Sequence, residues 1–188
     1  MSKPLVRSAW AVPGGTSAYL RSLCIILKAA SDSPNEEIYI DRLMRKFPTV
    51  SSVGMMRRYV RYMPHGLGLV EEHRGKVCLT DIGREFLEVS DPKPQLRQAL
   101  LNQVHGVRTI LEVLAVEPLP IRKLKTRLLN DGFEWTEDTQ IRYRLNWLLV
   151  AGAVEHRTHK QSIDRYPEWA VLEPGRVLLK RRTVRRED

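Results

Sequence analysis

Cysteine is scarce in this 188-residue chain: Cys24 and Cys78 stand alone, 54 positions apart on apolar stretches. Two such thiols exclude a disulfide framework and a cysteine-ligated zinc site, and they point to a reducing cytoplasm. Long apolar runs are missing too. Nothing approaches the ~18–20 consecutive apolar residues that a membrane helix needs. The run Leu23-Cys24-Ile25-Ile26-Leu27, with Ser22 before it and Lys28 after it, reads as a core helix rather than a signal peptide. No glycine-rich phosphate loop is present, because Pro13-Gly14-Gly15 is not followed by Lys-Ser or Lys-Thr. His156 and His159 lie among basic residues and His73 stands alone, so the ligand set for zinc is incomplete. Glu71, Glu72 and Lys76, like Asp164 and Glu168, superficially suggest a nuclease, yet both sets fall on hairpins that the fold already explains. Trp10, Trp135, Trp147 and Trp169 do not line one strand, which weakens a single-strand stacking platform. No catalytic residues, no metal and no cofactor are expected.

Positive charge is what the chain has in excess. Thirty-one Lys and Arg against 22 Asp and Glu leave +9, with a pI near 9.8. A balance of this kind favours a polyanionic partner, usually nucleic acid. The first 92 residues carry 13 basic and 10 acidic side chains, the remainder 18 and 12.

Punctuation is clearest at Ser90-Asp91-Pro92-Lys93-Pro94, where two prolines within three residues stop any helix. This predicts a first unit over 1–92, a second over 93–175 and a basic tail over 176–188, including Lys180-Arg181-Arg182. In the first unit, apolar spacing predicts helices over 16–29 (Ser17 as cap), 40–47 and 52–63, with Ser52 among the candidate caps of the third. A hairpin turning at Arg74-Gly75 follows, then a helix over 81–89 that places Ile82, Phe86 and Leu87 on one face. The second unit repeats the order: helices over 95–115, 121–129 and 137–149 (behind a Thr136 cap), then a hairpin through Gly152-Ala153-Val154-Glu155 and Glu168-Trp169-Ala170-Val171. Gly68-Leu69-Val70-Glu71 recurs as Gly152-Ala153-Val154-Glu155, 84 residues later. The fold class expected is mainly α with small β-hairpins (α+β), in two consecutive units.

Three helices followed by a two-stranded wing, with Gly68-Leu69-Val70 after the third helix and Leu79-Thr80-Asp81-Ile82-Gly83 entering the closing helix, resemble the winged helix–turn–helix superfamily. The first unit is similar to multiple-antibiotic-resistance-type regulators and to archaeal and phage winged-helix regulators. The second unit lacks the Leu-Thr-x-x-Gly ending, having Leu172-Glu173-Pro174-Gly175 instead, and rests on element order. The resemblance implies that each third helix enters a DNA major groove while the wing meets phosphate or minor groove. In the first unit this points to Ser51, Ser52, Arg57, Arg58 and Arg61 on the third helix, and to Arg74 and Lys76 on the wing. No acidic residue lies from Val50 to Met63, and arginine reads guanine bidentately. In the second unit it points to Thr139, Gln140, Arg142 and Asn146, with Arg157, His159, Lys160 and Arg165 on a longer wing.

The function expected is that of a non-enzymatic, double-stranded-DNA-binding protein. It would be a sequence-specific regulator or the DNA-recognition component of a bacterial or phage-related system, cytoplasmic and nucleoid-associated, with no membrane partner. A structural subunit whose winged helices bind protein partners, in a condensin-like or defence assembly, is the rival class. A replication initiator is a further alternative.

Overall fold

Local capping chemistry starts three helices of the first unit. The computed structural model describes residues 9–33, 35–73, 76–157 and 167–180, and these form a mainly helical chain with small antiparallel sheets. After a 3-10 turn at Thr16–Ala18 comes α1 (Tyr19–Ser31), which no side chain caps. Ser17 therefore does not act as the expected cap. Helix α2 (Glu36–Lys46) begins earlier than its apolar periodicity suggested, because Asn35 Oδ1 accepts from the Ile38 amide at 2.9 Å and Glu36 and Glu37 favour the first turn. Ser52 caps α3 (Val53–Gly66) by accepting from the Met55 amide at 3.2 Å. Strands β1 (Val70–His73) and β2 (Lys76–Leu79) pair antiparallel, with Val70 opposite Leu79 and His73 opposite Lys76. Thr80 caps α4 (Asp81–Glu88) through Gly83 N at 3.1 Å. Phe86 of α4 is buried, whereas Ile82 is half exposed, contrary to the single face expected for the two. The core of this unit joins Leu23, Ile26 and Leu27 of α1 to Tyr39 and Leu43 of α2, Met56, Val60 and Met63 of α3, and Leu69, Val77 and Leu79 beside or within the hairpin.

The helix expected over 95–115 is two helices, α5 (Lys93–Gln103) and α6 (Val107–Val116). Gly106 breaks it by adopting φ 78°, a left-handed conformation that side-chain-bearing residues resist. The described residues divide into two compact units between Val104 and His105, past the proline-marked seam. Helix α5, with Leu96, Ala99 and Leu100 buried, falls within the first of these units, so the prolines open a helix of that unit rather than a new one.

In the second unit α6 leads into β3 (Leu119–Pro120), α7 (Ile121–Asn130), α8 (Asp138–Val150), β4 (Val154–Arg157), β5 (Glu168–Val171) and α9 (Glu173–Lys180). Glu137 precedes α8 without a side-chain cap bond, so the expected Thr136 cap is not formed. The three-stranded sheet has the order β3-β5-β4, with Leu119 opposite Trp169 and Val154 opposite Val171. Residues 176–180, expected to begin a tail, complete α9; Leu178 is buried and Arg176 Nη1 donates to the Ala115 carbonyl at 3.1 Å. The rest of the basic segment lies outside the described residues.

Each unit makes a closing contact of the same kind within itself. Gly68 and Gly152 turn the chain from helix to hairpin at φ 72° and 67°. The following carbonyls, of Leu69 and Ala153, accept from Thr80 N at 3.1 Å and from Leu172 N at 2.9 Å. Against those same carbonyls lies the third residue of each closing helix. A Cβ at Gly83 would stand 2.0 Å from the Leu69 oxygen, and one at Gly175 would stand 2.6 Å from the Ala153 oxygen. Only glycine lets the closing helix approach so nearly, and both copies place one there. No described helix is long and apolar enough to cross a membrane.

Candidate nucleic-acid interface

Helix α3 is amphipathic in the literal sense. Its stripe Met56, Val60 and Met63 is buried, and Arg57, Arg58 and Arg61 are exposed on the adjoining arc. Ser51 and Ser52 are exposed at its N-terminal end, where unpaired amides favour anions. Apolar groups share this surface: Val53 and Met55 are exposed, and Tyr62 stacks on Trp10 at 4.7 Å with the rings 15° from parallel.

A carboxylate sits among the arginines. Glu36, in the first turn of α2, places Oε1 at 3.6 Å from Arg57 Nε and 3.4 Å from Arg61 Nη2. Both separations exceed the ~2.7–2.9 Å of a tight charge-assisted hydrogen bond. Both guanidinium groups remain about half exposed, at 54%. Exposed pairs of this kind contribute about 0–1 kcal/mol, so a phosphate can replace the carboxylate at small cost. Arg58 has no partner among the described residues. On the hairpin, Lys76 is exposed, but so are Glu71 and Glu72 of β1, which add negative charge to that strand. Arg74 lies outside the described residues.

The corresponding helix of the second unit is built differently. Thr139 and Arg142 are exposed on α8, while Asn146 and Gln140 are half-buried. Gln140 is drawn inward, because its carbonyl and its Oε1 accept from Arg144 Nη1 at 2.6 and 3.1 Å. Its carbonyl and side-chain oxygen thus both help to hold Arg144. Arg144 is 1% exposed, donates through Nε to the His105 carbonyl at 2.7 Å, and lies over the Trp135 ring at 4.1 Å from the centroid. Burial lowers its pKa to about 10, which leaves it charged at neutral pH. Trp135, Phe133 and His105 cluster around it, with Phe133 and Trp135 centroids 4.6 Å apart. Partial desolvation, and secondarily the Arg144 charge, lowers the pKa of His105, which stays exposed. This cluster fixes the turn that leads into α8. Lys125 of α7 steadies the same turn, donating to the Thr136 carbonyl at 2.5 Å and pairing with Asp138 at 3.2 Å. Of the longer wing, Arg157 pairs with Glu155 at 2.8 Å, whereas His159, Lys160 and Arg165 lie outside the described residues.

Sequence reasoning missed Glu36 and Arg144. Arg144 had a signal, because it falls on the inward stripe with Ile141, Leu145 and Leu148, where an unpaired cation is costly. Glu36 had none, since only the packing of α2 on α3 brings it to the arginines. Comparison of the chain with protein-family models, curated proteins and solved structures finds no match.

Proposed function

We propose that the chain is a non-enzymatic double-stranded-DNA-binding protein made of two winged-helix units, with α3 as its principal reading helix. The observation that carries this reading is the exposed Arg57, Arg58 and Arg61 face on a helix that ends directly in a short hairpin, with its opposite face locked in the core. The closing glycine contact repeated at Gly83 and Gly175, and the β3-β5-β4 sheet with a strand between the first and second helices, support the winged-helix assignment of both units. Arginine can contact both phosphate and the guanine edge, so one face serves positioning and readout. A sequence-specific regulator, or the DNA-recognition component of a bacterial or phage-related system, fits this arrangement. The α8 face is poorer in free cations and serves as a secondary contact.

Duplex affinity measured across a salt series tests the reading. Affinity should fall linearly in log–log form by about 0.9 per neutralised phosphate, with roughly six to ten phosphates engaged. Alanine at Arg57, Arg58 and Arg61 together should remove most binding, while stability moves by only about 0.5 kcal/mol per exposed site. Undiminished binding by the triple variant, or a salt-independent affinity, refutes the assignment. A folded protein that binds no duplex of any sequence returns the face to a protein partner.

A further inference from the structure

A second cationic feature lies in the first unit, in a groove between α1 and α2. Its walls are Arg21, Lys28 and Asp32 from α1 and its end, and Arg42, Arg45 and Lys46 from α2; its floor is Ile25 and Ala29. The volume is about 630 Å³, within the range of small-molecule sites. At about 100° per residue, the three α2 cations centre roughly a third of a turn from Glu36, so this groove faces away from the α3 arginines.

Internal contacts answer only two of its five cations. Arg42 Nη1 donates to the Asp32 carbonyl at 2.6 Å, closing the end of α1. Arg45 pairs with Asp41 in an exposed contact, and Asp32 Oδ1 accepts from Ser31 Oγ at 2.8 Å. Arg21, Lys28 and Lys46 have no partner among the described residues. Five cations thus converge with one carboxylate on a concave surface, and like charges in a cleft focus a positive potential that attracts anions. The floor argues for more than phosphate. Ile25 and Ala29 lie one turn apart on α1, flanked by Arg21 and Lys28, and they give an apolar body somewhere to lie between the two rows of charge.

We propose that this groove binds a small organic polyanion, an apolar or aromatic body carrying two or more negative charges, of which a nucleoside diphosphate is the type. The body rests on Ile25 and Ala29, and the charged groups lie between Lys28 and Lys46, with the Arg21 and Arg42 forks reaching its oxygens. The site is independent of the DNA-binding reading, because it uses a different face.

Calorimetric titration of ADP into the full chain at physiological salt, without DNA, tests the proposal. Adenosine and inorganic pyrophosphate serve as comparators. ADP should bind at least tenfold more tightly than either, since each comparator uses only half of the groove. The double replacement Lys28→Gln with Lys46→Gln should weaken ADP at least tenfold while lowering the melting temperature by only a few degrees, about the loss of two exposed cations from helix C-terminal turns. Alanine at Arg57, Arg58 and Arg61 should leave ADP binding intact. Absence of ADP binding, pyrophosphate binding as tight as ADP, or loss of ADP binding in the triple-alanine variant each overturns the proposal, the last by moving the anion to the α3 face.

Discussion

Replacing Gly106 with alanine should destabilise the second unit far more than the same change at Gly132, although both glycines have positive φ, 78° and 87°. The backbone cost is shared, about 1–2 kcal/mol for a left-handed L-residue. The surroundings differ. A Cβ at Gly132 meets nothing within 4 Å, whereas one at Gly106 would stand 2.1 Å from Trp135 Cη2 and 2.8 Å from Phe133 Cε1. Ordinary contact requires the indole to retreat by more than an ångström. That retreat breaks its stack over Arg144, a desolvated cation–π contact of about 2 kcal/mol, and leaves a buried guanidinium less well partnered. The expected losses are therefore about 3–4 kcal/mol for G106A, from the backbone and cation–π costs together, and about 1–2 kcal/mol for G132A from the backbone cost alone. Urea unfolding followed by far-UV circular dichroism measures both, and tryptophan emission reports the displaced indole in G106A alone. Equal losses for the two variants would show that the aromatic cluster does not brace Gly106, and would refute the account of the α5–α6 break.

Two further outcomes follow from charges in the structure. Glu36→Gln should raise duplex affinity several-fold and steepen its salt dependence, because Arg57 and Arg61 lose the carboxylate that phosphate must displace; an affinity that falls would make Glu36 an organiser of the arginines rather than their competitor. His105 and His156 are exposed, yet partial desolvation holds both below the usual histidine value, and His156 lies edge-on to Trp169 at 3.8 Å. Their folded forms take up protons less readily than the unfolded chain, so the stability they contribute is present above about pH 6.5. It should be lost as the pH falls through their depressed values. Because both rings are exposed and screened by solvent, the decline in thermal melts from pH 7.5 to 5 should be small, and smaller still in H105Q and H156Q; a transition equally steep in both variants would exclude the histidines as its cause.

Much of the site was legible in the residues because it depends on short-range rules. The spacing of Met56, Val60 and Met63 decides which face of α3 turns inward, and therefore where Arg57, Arg58 and Arg61 emerge. Ser52 and Thr80 cap by reaching amides three residues on, so their roles are written locally. Asn35 does the same for α2, a local signal that lies ahead of the apolar stripe beginning at Ile40. Gly68 and Gly152 mark both turns into hairpins, since each must adopt a left-handed conformation. Gly106 carried the same signal within an apolar run that looked like one long helix.

Tertiary packing decided the rest. Glu36 meets Arg57 and Arg61 because α2 packs on α3, across 21 and 25 positions that no periodicity relates. Arg144 becomes a buried structural cation only where Trp135, Gln140 and the His105 carbonyl converge on it. The equivalence of Gly175 to Gly83 was hidden by the Glu173-Pro174 that precedes it, and emerged from the carbonyl each glycine admits. Periodicity and capping act within a few residues and so can be read along the chain. Which charges are answered, and by whom, depends on contacts between elements that the chain brings together only when it folds.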